Sequence, residues 1–546
     1  MRLDLTRDYD HAIASFAWRL PSRFNIAAVI SDRHAAERPD ETALFYVDGD
    51  GGVRAWSHVE INRLACRLAN SLEALGVVPG DRIGVHLPQS PECLLAHVAA
   101  LKCGAIVLPL FRLFGPDALG YRLSNSAAKV LITLNSAWPE VAPTVSAIET
   151  LEQIITVGHA GRPTHSFWPL LENARDQHTT VDTSANDPAV MIYTSGTTGQ
   201  PKGALHAHRV LMGHLPGVCL PHDNFPQAGD RFWTPADWAW IGGLLDVLWP
   251  SLYFGVPVVG SARTKFDPEW TFDFLGRHEV RNVFMPPTAL RMMQQVPDVR
   301  QRFGVDVRSI ASGGETLGAE LIGWGRKTFG ITLNEFYGQT ECNLVIGNSA
   351  ALFENRPGSM GRAIPGHDVA IVDDEGHPLP DGEPGVVAVR APDPVMMLGY
   401  WDEPEATAQK YRGAWFLLGD IATRDADGAF WFQGRNDDII SSAGYRIGPG
   451  EVEDCLSTHP AVALAGVVGV PDAVRGEVVA ACISLAEGFE PSDALATEIQ
   501  TFVRERLAAH EYPRVVRFLD KLPMTVTGKI KRGDLRQLLA GKRPSP

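Results

Sequence analysis

Tyr193 to Gly203 reads YTSGTTGQPKG, a stretch of Ser, Thr and Gly around a single lysine. Backbone N–H groups and hydroxyls in such a stretch can wrap anionic oxygens. The nucleoside-triphosphatase P-loop, G-x-x-x-x-G-K-[ST], needs a hydroxyl after its lysine to hold magnesium. Here Lys202 lies three residues after Gly199 and is followed by Gly203. The Walker pattern fails, so part of any phosphate chemistry must come from elsewhere in the chain.

Several other segments carry suitable groups. ASGGETLG (311–318) has paired glycines that allow close approach of a flat ring. NEFYGQTEC (334–342) gathers Tyr337, Thr340 and Glu341. An aromatic can stack on a base, a hydroxyl can hold a phosphate, and a carboxylate can hold magnesium. FLLGDIATRDADGAFWFQGR (416–435) offers Asp420, a carboxylate suited to ribose hydroxyls, and Arg435. SSAGYRIGPGEVE (441–453) adds Arg446, and LPMTVTGKIKRGDLR (522–536) carries Lys529 after a glycine. Taken singly, each has a plainer reading. The first loop is equally a solvated turn, and Asp420 a turn aspartate. Arg435 reads as a surface ion-pair partner, and Lys529 as part of a solvated patch with Lys531 and Arg532.

These segments need elements to hold them. INRLACRLANSLEALGV, DRIGVHL, PECLLAHVAALKCG and AIVLPL alternate helix-like and strand-like patterns across residues 60–110. KVLITL (129–134), VPVVG (256–260) and VRNVFM (280–285) continue the series, which indicates parallel α/β layers. AVMIY (189–193) reads as a strand and HAHRVLMGHL (206–215) as a helix, with the first loop between them. From about residue 358, short β-rich runs split by Pro, Gly and Asp indicate a β subdomain. After GRNDD (434–438) the pattern becomes a compact α+β tail of domain size.

Composition bounds the function. The 546 residues carry a formal net charge of −15, which argues against nucleic acid as the main partner. Seven cysteines without a C-x-x-C pair read as reduced core thiols in a cytoplasmic protein, not as a disulfide framework or a zinc site. The start, MRLDLTRDYDHAIASF, lacks an apolar signal region. The apolar stretch LLDVLWPSLYFGVPVVG (244–260) contains Asp246 and two prolines and reads as buried core, not a membrane span.

Taken in order, YTSGTTGQPKG, YGQTE, the GD of FLLGD, GRNDDIISSAGYRIGPGEVE and TVTGKIKR resemble the successive motifs of the adenylate-forming superfamily. That superfamily includes acyl-CoA synthetases, peptide-synthetase adenylation domains and firefly luciferase. MPPTALRMM (285–293), SSAGYRIGP and EYPRVVRFLDKLPMTVTGKIKR (511–532) are most similar to medium-chain acyl-CoA synthetases. The resemblance implies a mixed α/β fold. A large N-terminal domain of layered α/β sheets plus a β subdomain spans 1–435, and a small mobile α+β lid spans 436–546, hinged near Asp437.

The implied reaction joins a carboxylic acid to coenzyme A at the expense of ATP, with Mg2+ as cofactor. The acid attacks the α-phosphorus and pyrophosphate leaves; the coenzyme A thiol then takes the acyl group from AMP. By the same resemblance, Thr194, Ser195, Gly196, Thr197, Thr198, Gly199 and Lys202 handle the leaving phosphates. Thr340 contacts the α-phosphate, and Glu341 binds magnesium. Gly314, Glu315, Tyr337 and Gly338 form the adenine wall, Asp420 and Arg435 hold the ribose, and Arg446 contacts phosphate. Lys529 bridges the carboxylate and the α-phosphate, a role suited to a compact charge with three donors. Ser442, Ala443 and Gly444 meet the pantetheine arm, where small residues let it pass. No histidine stands out as a base for the thiol.

Acetate-specific relatives carry a tryptophan where Gly338 stands, so glycine is expected to leave room for longer acids beside Trp240, Met285 and Val345. Ala239 and the pair Cys342-Asn343 depart from the family pattern and flank that pocket. Lys529 also lies in a P-x-x-x-x-G-K context, which acyltransferases modify in some members of the resembled family, so the resemblance implies a lysine acetyltransferase and a deacetylase as partners. Two alternatives stay open. One is a stand-alone adenylation enzyme loading a carrier-protein pantetheine, with Asp237 as a candidate for an amino group. The other is a nucleotide-binding regulator without catalysis.

Overall fold

The computed structural model describes residues 8–158, 165–194, 200–263, 265–435, 438, 440–442, 445–472, 476–507, 511–525 and 529–541. The chain divides into two compact units, the first running to about residue 369 with 389–411, and the second holding 370–388 and 412 onward.

In the first unit, the helix–strand alternation read from residues 60–134 is realised. The helix His58–Ala74 starts at Ser57, whose side chain accepts from the Glu60 N–H while the Glu60 carboxylate accepts from the Ser57 N–H. Its buried face is Ile61, Ala65, Leu68, Ala69 and Leu72, one stripe at helical spacing. The helix Pro91–Lys102 is capped by Ser90 and is buried along its whole length, as its apolar run of Leu, Ala and Val requires. It packs on an eight-stranded sheet ordered Gly399–Tyr400, Lys202–Ala207, Pro188–Thr194, Ile106–Pro109, Arg82–His86, Val130–Leu134, Gln153–Val157, His165–Ser166. The strands are parallel from Pro188–Thr194 to His165–Ser166 and antiparallel at the Lys202 end.

A second sheet of this unit runs Ser359–Ala363, Cys342–Gly347, Asn334–Gln339, Ser309–Gly313, Asn282–Phe284, Phe232–Trp233, Val258–Ser261, Thr42–Val47, Val53–Ser57. Its central strands, from Asn334–Gln339 to Thr42–Val47, are parallel. The stretch 244–260 is core, with Leu244, Leu245, Leu248 and Trp249 fully buried.

The second unit contains Trp415–Arg424 paired antiparallel with Ala429–Arg435. A further sheet is ordered Tyr445–Ile447, Ile440–Ser442, Gly476–Leu485, Val462–Asp472, with Val515–Phe518 added beside Gly476–Leu485. The helices Pro449–Ser457 and Asp493–Arg506 close an apolar core built on Ile440, Val452, Leu456, Val467, Ile483 and Ile499. The expected division at 435/436 lies within the second of these compact units.

One expected element differs. Residues 202–207 are a strand and the helix begins only at Val210. YTSGTTGQPKG therefore joins two antiparallel strands, and no helix N-terminus follows it.

Candidate functional site

Strand pairing sets Thr194 directly opposite Lys202 at the loop end of their hairpin. Ser195, Gly196, Thr197, Thr198 and Gly199, between them, lie outside the described residues. Because the segment after Lys202 is a strand, no helix dipole points at this end of the hairpin. The Lys202 ammonium lies 5.4 Å from the centre of the Tyr400 ring.

Thr340 and Glu341 form the two-residue turn of a second hairpin, since Gln339 pairs with Cys342 across it. The ladder slips between Tyr337 and Gln339, leaving Gly338 at an irregularity. A Cβ on Gly338 would stand 2.3 Å from the Leu344 nitrogen and 2.5 Å from Asn343 Oδ1. The returning strand therefore crowds the side of Gly338 on which a side chain would stand, and a larger residue there requires that strand or the turn to shift. The Glu341 carboxylate accepts from the Tyr400 hydroxyl at 2.6 Å, and its backbone carbonyl accepts from the Met397 N–H at 2.9 Å.

The adenine-wall candidates sit where two parallel strands end, the usual place for ligands in open α/β sheets. Gly313 pairs with Phe336, so Gly314 and Glu315 leave one strand beside Tyr337 on the next. Gly314 has φ +93°, a conformation that favours glycine. The Glu315 carboxylate accepts from Thr288 Oγ1 at 3.0 Å and from Arg291 at 3.1 Å, which fixes the loop. Glu335 holds the same loop through the Leu317 N–H at 3.0 Å.

The acyl-pocket candidates separate. The Trp240 ring lies 5.6 Å from Phe284, which lies 5.2 Å from Phe336. Met285 instead joins the apolar cluster of Trp233, Leu290 and Ile310, because neighbouring residues leaving a strand face opposite sides. Phe284, which the sequence reading did not single out, is the residue in ring contact with Trp240; the parity of the strand was the signal for it. Val345 is fully buried in the returning strand. Next to it, Asn343 Nδ2 donates to Asp246 at 2.7 Å and meets His214 Nε2 at 3.3 Å, all three being buried. Burial pushes the Asp246 carboxyl well above the usual range. It also lowers His214 to about 4 and His206 to about 3, so these imidazoles stay neutral and are poorly matched to a base working near pH 7. Asp237 accepts from the Ala239 N–H at 2.8 Å, and burial raises it to about 6. It borders a cavity of about 120 Å3 that Arg112, Arg263 and Lys265 also line.

In the second unit, Asp420 is buried and pairs in register with Arg435. Arg446 pairs with Ser441, and Ser442 is buried opposite Tyr445. Asp437, Ala443 and Gly444 lie outside the described residues. Lys529 is exposed. Its N–H donates to Thr525 Oγ1 at 3.0 Å and its carbonyl accepts from the Thr525 N–H at 2.7 Å, so two hydrogen bonds tie its backbone to Thr525. Arg532 is no solvated patch residue: it pairs with Glu453 at 2.6 Å and with Asp438 at 3.5 Å. That clamp anchors the chain three residues beyond Lys529.

The donor set fits magnesium. Glu341 offers a half-buried carboxylate in the same two-residue turn as Thr340, and Mg2+ characteristically takes one or two carboxylates together with phosphates and water.

Two family models cover most of the chain: AMP-binding enzyme over residues 31–401 and AMP-binding enzyme C-terminal domain over 451–529. The human mitochondrial acyl-coenzyme A synthetase ACSM4 is 37% identical over 535 residues, 95% of this chain and 91% of its own. The acetyl-coenzyme A synthetase of Bacillus subtilis (strain 168) is 36% identical over 548 residues, 97% of this chain and 95% of its own. Among solved structures, the anthranilate CoA ligase AuaEII in complex with anthranoyl-AMP superposes with a TM-score of 0.86 at 29% identity, covering 96% of this chain and 99% of that one.

Proposed function

Because the chain belongs to the family of AMP-binding enzymes, we propose that it activates short- to medium-chain or small aromatic carboxylic acids at the site built on Lys202, Thr340 and Glu341. It is an AMP-forming carboxylic acid–coenzyme A ligase. A carboxylate oxygen attacks the α-phosphorus of ATP, the bond to pyrophosphate breaks, and an acyl-adenylate forms. The sulfur of coenzyme A then attacks the acyl carbon, and AMP leaves.

The observation that carries the site assignment is that Lys202 and Glu341, from motifs far apart in sequence, both meet Tyr400. In our reading, Lys202 holds the departing pyrophosphate, Thr340 donates to the α-phosphate, and Glu341 supplies the magnesium carboxylate. Bound magnesium offsets charge on the phosphates. Tyr337 and the Gly314–Glu315 loop flank the adenine, Asp420 and Arg435 take the ribose, and Arg446 takes a phosphate. Lys529 supplies the positive charge that two reacting anions require. Asp437 is proposed as the hinge between 1–435 and 436–546, with Ser442 to Gly444 along the pantetheine path. Trp240, Phe284, Phe336 and Val345 are aromatic and apolar, which supports an aliphatic or small aromatic acid. Glutamine- and lysine-type chemistry is absent from that set, and one methylene shifts binding by only about 1–3 kcal/mol, so a range of acids is expected. Coenzyme A carries nucleotide phosphates that a carrier-bound pantetheine lacks. The cavity lined by Arg112, Arg263 and Lys265 suits them. Seven cysteines with no disulfide among them favour a reducing compartment, which we take to be the cytoplasm. No helix among the described residues is long and apolar enough to cross a membrane.

The test is AMP formation with coenzyme A across straight, branched and aromatic acids. Lys529→Ala should lose adenylation by 10²–10³-fold, about 3–4 kcal/mol, while supplied acyl-adenylate is still converted to thioester. Acetylation of Lys529 by an acyltransferase, reversed by a deacetylase, should have the same effect. Equal loss in both half-reactions would overturn the assignment of Lys529.

A further inference from the structure

We infer that Tyr400 is a positioning residue for the metal-binding carboxylate, joining the Lys202 strand to the Thr340–Glu341 turn. The inference rests on the reading of Glu341 given above.

Tyr400 belongs to the two-residue strand Gly399–Tyr400. Its backbone is fixed against the Lys202 strand: Gly399 pairs with Leu205 and Tyr400 with Ala204. The Leu398 N–H donates to the Leu205 carbonyl and the Trp401 N–H to the Gly203 carbonyl, each at 2.7 Å. The same short segment also grips the second hairpin, through the Met397 N–H on the Glu341 carbonyl at 2.9 Å. Within this frame the ring presents its face toward the Lys202 ammonium at 5.4 Å and its hydroxyl to Glu341 Oε1 at 2.6 Å.

The chemistry of the donor matters. A phenol O–H to a carboxylate is a charge-assisted hydrogen bond that fixes the side chain's orientation. Unlike a lysine or arginine, it adds no positive charge, so the carboxylate keeps its full attraction for a cation. A single O–H occupies only part of the acceptor capacity, since an ionised carboxylate has about four lone-pair sites. The π-face toward Lys202 accommodates an ammonium without neutralising it. One side chain thus sets the spacing between the group that holds the leaving phosphates and the group that holds their counter-ion. Groups that orient a metal ligand in this way typically change metal affinity by roughly 10–100-fold when lost.

Tyr400→Phe removes the hydroxyl and keeps the ring. The measurement is Mn2+ binding to the full chain saturated with α,β-methylene-ATP, read from the free-ion signal in electron paramagnetic resonance. Glu341→Ala is run beside it. Both variants should bind Mn2+ at least about tenfold more weakly than the parent. Tyr400→Phe should also need correspondingly more Mg2+ for half-maximal adenylation, with conversion of supplied acyl-adenylate and melting temperature unchanged. Unchanged Mn2+ affinity in Tyr400→Phe, with a loss in Glu341→Ala, overturns the role of Tyr400 alone. Unchanged affinity in both removes Glu341 as the metal ligand, and the role of Tyr400 with it.

Discussion

Asn343 illustrates how one side chain can decide whether two buried ionisable groups are tolerated. His214 uses Nδ1–H on the Val210 carbonyl at 2.8 Å, which leaves Nε2 free to accept, and Asn343 supplies the donor there and at Asp246. Replacing Asn343 by Leu leaves Asp246 without that bond and should destabilise the protein by about 1–3 kcal/mol, read by chemical denaturation. The pH dependence follows from the direction of the Asp246 shift. Burial raises its folded-state pKa, so the native state binds the proton more tightly than the unfolded chain. Stability from this group is therefore full below the ordinary aspartate range and falls as pH rises from there toward the raised value. Asp246→Asn should flatten that slope; an unchanged slope would assign it to other groups. In the sequence, Asn343 was visible only as a departure from a family pattern, because its partners at 214 and 246 are brought to it by folding alone.

At the scale of elements, most strands and helices of the first unit were legible because apolar periodicity matches burial. The strand Lys202–Ala207 was not. KGALHA has weak strand propensity and no clean alternation, and its conformation is imposed by pairing with Pro188–Thr194 on one side and Gly399–Tyr400 on the other. The motifs around Thr340, Glu341 and Lys529 were legible as residue types in order. The support from Tyr400 was not, since a two-residue strand leaves no pattern to read. At Gly338 the sequence did not show the close approach of the returning strand. Adding one carbon there, Gly338→Ala, meets the Leu344 nitrogen at 2.3 Å, so the turn carrying Thr340 and Glu341 must shift. Displacement on the scale of 1 Å costs on the order of 100-fold in rate, which pyrophosphate release would record. Full activity in that variant would mean that the hairpin adjusts without moving its turn.

For the whole molecule, the two units have separate apolar cores, so heating is not expected to follow a single two-state transition. Burial raises the Glu453 carboxyl and the Arg532 guanidinium lowers it, so the ion pair is what makes this buried acid tolerable. Arg532→Ala should lower the transition of the second unit, by about 3–5 kcal/mol, and leave that of the first in place; calorimetry of the full chain separates the two. A different consequence attaches to the eight-stranded sheet, which begins at Gly399–Tyr400 and ends at His165–Ser166, both only two residues long. An unpaired strand edge is a template on which another chain can add, and its hazard grows with length. Here both borders stop short, so a stray strand would find only a few donors and acceptors to continue from. The segment whose tyrosine donates to the Glu341 carboxylate also guards one border of this mixed sheet against growing into its neighbours.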